Sequence, residues 1–178
     1  MINNQFSEKQ KKEMLLFTSM GNILWIIQEV EFLLVSLCHL EYDYLLSHKD
    51  KENLPRTLKN KFEHLTFEQI ISDTETCKIV LGNTEKFLQT TSNMFDESLM
   101  FDFRNKRNKF IHEYFLNFQH DKSDEKYDKE MKNLVNFMNE ITDYKSIFQG
   151  YLDFIKKIVD IKQGKSIDIN DFSEAEKN

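Results

Sequence analysis

With one proline and four glycines among its 178 residues, this chain has almost no means of turning sharply. Hairpins draw on glycine's positive φ and proline's fixed one, so a many-stranded fold lacks its parts and long helices are expected. The length is that of one domain with room for a full core. Sixteen phenylalanines supply large rings for that core and for a protein interface, since each buries much apolar area and packs edge to face. The expected fold class is all-α, an up-and-down helical bundle with additional short helices. Residues 1–162 form the single domain and 163–178 a polar C-terminal tail.

Periodicity places the helices. From about Ser7 to Ser47, Phe17, Leu24, Ile27, Leu34, Cys38 and Leu45 recur at helical spacings, with Gly21 as a point of bending or breakage. Trp25, Val30, Phe32, Leu33, Leu37 and Leu40 make the other side apolar too, which implies burial on both faces. Residues 48–63, with Pro55, read as a loop or short helices. A shorter helix starts near Thr66, another runs from Ser72 or Asp73 to Leu81, and a third from Thr84 to Thr91 after a break at Gly82-Asn83. A further helix begins near Asp96 or Glu97 and reaches about Phe118, and residues 121–124 form a polar turn. The last helix, Tyr127 to Ile161, carries the cleanest stripe: Met131, Leu134, Met138, Ile141, Phe148, Leu152, Ile155, Val159. That mean spacing near 3.5 predicts almost antiparallel packing on a neighbour.

The formal net charge of -6 argues against a general nucleic-acid coat, which needs a basic surface to neutralise phosphates. Locally the sign reverses, because Arg104, Lys106, Arg107 and Lys109 put four cations into six residues just before His112. Such a focus on an acidic body suits a grip on one or two phosphates, although a charge cluster on its own reads as a solvated helix face. Cys38 and Cys77 form no metal or CxxC spacing and read as reduced thiols of an intracellular protein. The polar start is no signal peptide, and Gln28, Glu29 and Glu31 interrupt the greasy run Ile23 to Leu40 well short of the ~18 apolar residues of a membrane span. A soluble, cytoplasmic protein without a membrane partner is expected. His39, His48, His64 and His120 lack ligand spacing, and phosphate-loop, dinucleotide and nucleophile-elbow motifs are absent, so neither metal nor cofactor is called for.

The chemistry concentrates in Arg107-Asn108-Lys109-Phe110-Ile111-His112-Glu113-Tyr114. A guanidinium holds phosphate through paired hydrogen bonds, an amide orients an oxygen, and an imidazole moves a proton near neutral pH. On a regular helix Asn108 and His112 share a face that Arg104 continues, whereas Arg107 stands roughly 140° round from His112. The two meet one phosphate only if the helix is irregular there or if two copies face each other across a two-fold axis.

The run resembles the R-N-x-x-x-H motif of the HEPN superfamily, helical proteins many of which are metal-independent ribonucleases. With Tyr114 it also resembles the R-x4-H-x-Y variant of HEPN toxins paired with a nucleotidyltransferase-type antitoxin. The likeness covers about Asp102 to Phe118, with a vaguer one at Leu65 to Ile71. It implies a HEPN-like bundle, a homodimer with a composite site, and an RNA substrate cut by attack of its own 2′-hydroxyl. Arg107, Asn108 and His112 would be catalytic, with Arg104, Lys106 and Lys109 on the phosphates. Tyr114 would be a modification target of the cognate antitoxin. A toxin or abortive-infection effector is the function implied.

Each residue also has a plainer reading. Arg104 or Arg107 would make surface ion pairs, His112 would be half buried at a helix contact, and Tyr114 would be a packed ring with a satisfied hydroxyl. Two rival functions follow, a non-catalytic HEPN module that dimerises or binds nucleotide beside a nucleotidyltransferase-like partner, and a helical scaffold without ligand.

Overall fold

A computed structural model describes residues 6–64, 81–91, 97–114 and 124–165. No strand occurs among them, and the all-α expectation holds. The elements are α1 (Glu8–Leu40), prolonged by a π-helical turn at Glu41–Leu45, α2 (His48–Asn53), α3 (Arg56–Phe62), α4 (Leu81–Thr91), α5 (Glu97–Lys109), prolonged by a second π-helical turn at Phe110–Tyr114, and α6 (Asp124–Lys162). The helices expected near Thr66 and from Ser72 or Asp73, residues 121–123 of the expected turn and the tail beyond Lys165 lie outside the described residues, and Asp124, expected in that turn, instead opens α6.

The ends of the long helices are written locally. Ser7 caps α1 with a reciprocal pair: its hydroxyl accepts from the Gln10 amide at 3.3 Å, and its own amide donates to Gln10 Oε1 at 2.8 Å. At the other extreme Gly164 adopts φ +74°. The Lys165 amide then reaches Asp160 O and the Gly164 amide reaches Ile161 O, each at 3.0 Å, which closes α6 in a Schellman motif.

Two expected breaks are not there. α1 passes straight through Gly21, because Met20 and Ile23 on its inner face are buried and outweigh the roughly 1 kcal/mol that glycine costs a helix. Gly82 and Asn83 sit inside α4, held by the buried Thr84, Phe87 and Leu88 that follow.

A buried line of Leu16, Met20, Ile23, Ile27, Val30, Leu34 and Leu37 runs down α1 at alternating spacings of four and three. It meets the line of α6, where Leu134, Ile141, Phe148, Leu152, Ile155 and Val159 are buried as expected, while Met131 and Met138 are only partly so. Side-chain bridges fix the directions. Lys12 lies over the Tyr127 ring at 5.3 Å and Glu29 pairs with Lys145 at 2.9 Å, so α1 and α6 run parallel. On the other flank Asp102 accepts from Tyr144, Lys106 pairs with Glu140 and Tyr114 reaches Glu130, so α5 descends antiparallel to α6. The stripe of α6 therefore packs on a parallel neighbour, α1, and not on the antiparallel one its spacing predicts, while the antiparallel helix α5 is bridged to it on the flank.

Burial on both faces of α1 holds only toward its C-terminal end. There Leu33 through Tyr42 are all buried, with Cys38 against Thr84 and Tyr42 against Phe62. In the N-terminal half Met14, Phe17 and Trp25 stay exposed, while the described short helices gather round the far end. By length and composition the segment Glu8–Leu45 is apolar enough to cross a membrane. A core helix passes the same test, and most of this one's apolar surface is covered within the chain.

Candidate functional site

Met100, Phe103 and Phe110 are the buried residues of α5 and its π-helical extension, and partly buried Tyr114 packs on the same core. Arg107 falls on that line, at spacings of four and three from Phe103 and Phe110, where a helix built for stability would carry an apolar residue. Glu31 of α1 meets it there, with Arg107 Nε donating to Glu31 Oε1 at 2.8 Å. Arg107 Nη1 also donates to Asn108 Oδ1 at 3.0 Å. These bonds orient both side chains. They leave Nη2 of the guanidinium and the amino group of Asn108 without a hydrogen bond among the described residues, as donors for an anion.

The opposite face of α5 carries Phe101, Asn105, Asn108 and His112 at spacings of four, three and four. His112 is exposed and makes no hydrogen bond or ion pair among the described residues, so both ring nitrogens are available to a ligand. It also lies in the π-helical turn Phe110–Tyr114. A turn closed by i→i+5 bonds advances fewer degrees per residue than an α-helix, which swings His112 back toward the line of Arg107. The angular gap thus falls below the roughly 140° of a regular helix, though no hydrogen bond joins the two side chains.

The other cations are not a free patch. Arg104 Nη1 pairs with the buried Glu85 of α4 at 2.6 Å, and its guanidinium lies 5.3 Å from the centre of the Phe101 ring. Lys106 pairs with Glu140 of α6 at 2.7 Å, with Asp102 at 3.9 Å. The Glu140 bond and charge hold the Lys106 ammonium above its ordinary range. Together with Arg107 and Glu31, the pairs pin α5 to α4, α6 and α1. Lys109 alone of the four cations has no acidic partner among the described residues, and it is exposed.

Tyr114 donates to Glu130 Oε2 at 2.9 Å and packs its ring on Phe110, centroids 5.4 Å apart. Burial first, and then the Glu130 bond, push its phenol well above the ordinary range, against a smaller pull from Asn133. This is the packed ring with a satisfied hydroxyl. No three His, Cys, Asp or Glu side chains stand together as a cation cage among the described residues.

Glu31, Glu85, Glu130 and Glu140 complete the site from three other helices, and sequence reasoning missed them. For Glu31 a signal existed, since a carboxylate inside the greasiest run of the chain needs a partner. For the rest none did, because a Glu within a helix is ordinary. No protein-family model matches the chain, and no curated protein or solved structure matches it significantly.

Proposed function

We propose that the chain is a metal-independent endoribonuclease of HEPN type, acting in the cytoplasm as a toxin or abortive-infection effector. The observation that carries this reading is the pairing of an oriented Arg107-Asn108 donor set with a free, exposed His112 in a π-helical turn. An Arg–Glu pair on an apolar helix line does not optimise stability, and π-helical turns recur at functional sites.

In the mechanism, His112 takes the proton of the 2′-hydroxyl as that oxygen attacks the adjacent phosphorus. The P–O5′ bond breaks, the 5′-oxygen leaves with a proton taken from water, and a 2′,3′-cyclic phosphate remains. Nη2 of Arg107 and the amino group of Asn108 stabilise charge growing on the phosphoryl oxygens. Lys109 steadies the neighbouring phosphate, and Arg104 and Lys106 serve RNA only by exchanging their carboxylates for it. The remaining angular gap between Arg107 and His112 is spanned in a homodimer, where the α5 face bearing Phe101 and His112 meets its counterpart and Arg107 of one subunit approaches His112 of the other.

RNA and the all-deoxy strand of the same sequence, offered side by side, test the chemistry. Cleavage of the first and survival of the second is expected, and equal cleavage would refute a 2′-hydroxyl nucleophile.

The three ion pairs that occupy Arg104, Lys106 and Arg107 favour one second reading, a non-catalytic HEPN module that partners a nucleotidyltransferase-like protein. Tyr114 would be the position modified, once its hydroxyl leaves Glu130. Intact mass after coexpression with such a partner distinguishes the two. Added nucleotide mass on a protein that leaves RNA uncut establishes the second reading.

A further inference from the structure

Between α5 and α6, beside the face that bears His112, lies a cleft of about 390 Å³. Ligand pockets start near 300 Å³, so this space suits one nucleotide and not a strand. Phe110 lies buried behind its wall, stacked on Phe137 at 9° with centroids 5.0 Å apart, so the half-buried rings of Phe137 and Tyr114 are the aromatic surfaces left to the cleft. Asn133 and Asn136, one helical turn apart on α6, add carboxamides, and Lys109, with no acidic partner among the described residues, adds its ammonium. The Tyr114 hydroxyl donates to Glu130, which orients that ring in the wall of the cleft. Asn136 is exposed and makes no hydrogen bond among the described residues, so its donor and acceptor both remain available. The Lys106–Glu140 pair closes one end.

We infer that this cleft is a nucleobase subsite: it takes one base of the RNA, with Asn136 reading the base edge and Lys109 holding the attached phosphate. Aromatic walls suit any base face, a carboxamide matches the paired donor and acceptor of a base edge, and a lysine supplies the counter-charge. The second cleft of the same groove, about 250 Å³ beyond Lys106 and Glu140, offers Leu99, Ile147 and the carboxylate of Asp143. That lining repels a phosphate and marks the Asn136 side as the one that receives the nucleotide. The position fits the proposed reaction, because Lys109 and Tyr114 flank His112 on the same strand of chain. The inference rests on the ribonuclease reading for its role in choosing where RNA is cut, but binding tests it separately.

Titration calorimetry of the purified full chain with the four ribonucleoside 5′-monophosphates and with ribose 5-phosphate provides the first arm. At least one nucleotide binds about tenfold more tightly than the base-free sugar phosphate, and Asn136→Leu removes that advantage without changing the far-ultraviolet circular dichroism. Equal binding of sugar phosphate and nucleotides, or a preference that survives in Asn136→Leu, overturns the subsite. Sequencing the ends released from a randomised RNA provides the second arm, where Asn136→Leu flattens the base preference next to the cut. Cleavage without any base preference, unchanged in Asn136→Leu, refutes the subsite and spares the ribonuclease. Selective nucleotide binding by a chain that cuts no RNA refutes the ribonuclease and spares the subsite.

Discussion

Along α5 the side chains of Met100, Phe103 and Phe110 are buried in the bundle, and Arg107 stands in their line, about a quarter exposed and paired with Glu31. Ion pairs of this kind are often replaced by apolar residues at no loss, whereas removing one partner strands the other. The double replacement Glu31→Leu with Arg107→Leu is therefore expected to match or exceed wild type in urea unfolding. Arg107→Leu alone loses about 1 kcal/mol, a small figure because solvent screens the pair. A double variant less stable than either single one would contradict the idea that the pair sits at a stability-neutral place. Arg107→Lys keeps the charge but loses the planar fork, and its cleavage rate should fall roughly 10²-fold. Arg104 differs in kind, because its partner Glu85 is buried. Arg104→Ala leaves that carboxylate uncompensated and should lower stability by about 2 kcal/mol, read from the unfolding midpoint.

Both π-helical turns prolong long helices, and each holds an ionisable group at an unusual place. In the first, Glu41 is buried and its carboxyl is pushed up to about 7 by burial, against a smaller opposing effect of Thr91. The folded chain therefore binds this proton more tightly than the unfolded chain does. Glu41 favours folding most below its ordinary value near 4.5, and that stabilisation is lost as pH rises through about 7. Stability measured from pH 5 to pH 8 should fall by up to roughly 3 kcal/mol through this group, and Glu41→Gln should flatten the profile. In the second turn, an exposed His112 and a packed Tyr114 lie two residues apart. The helix of the motif was legible from its apolar spacing, and the start of α1 near Ser7 from the onset of its periodicity. Neither π-helical turn was, because a widened turn answers to packing between helices and leaves no local mark. Which carboxylate each cation would meet was hidden for the same reason, although Glu31 in its apolar run did call for some partner. Arg107 and Glu31 lie 76 residues apart, and spacing along one helix says nothing of what another brings to it.

At the scale of the whole molecule, α1 and α6 run parallel with α5 antiparallel between their bridges, so three ion pairs from three helices hold one short reactive segment in place. Phe101, Trp25 and Phe17 remain exposed, each more than half accessible. Light scattering at micromolar concentration is expected to report a dimer, and Phe101→Glu to shift it to monomer with loss of cleavage, because the proposed composite site draws on both subunits. The account turns finally on whether an imidazole, without a metal, moves the proton. The direct measurement is cleavage of a labelled RNA by the purified chain in excess EDTA, with His112→Ala prepared in parallel and the product ends identified by mass. The account predicts unchanged cleavage in EDTA, 2′,3′-cyclic phosphate ends, and loss of activity by at least about 10²-fold in His112→Ala. Cleavage that requires Mg²⁺, or that persists in His112→Ala, would contradict it.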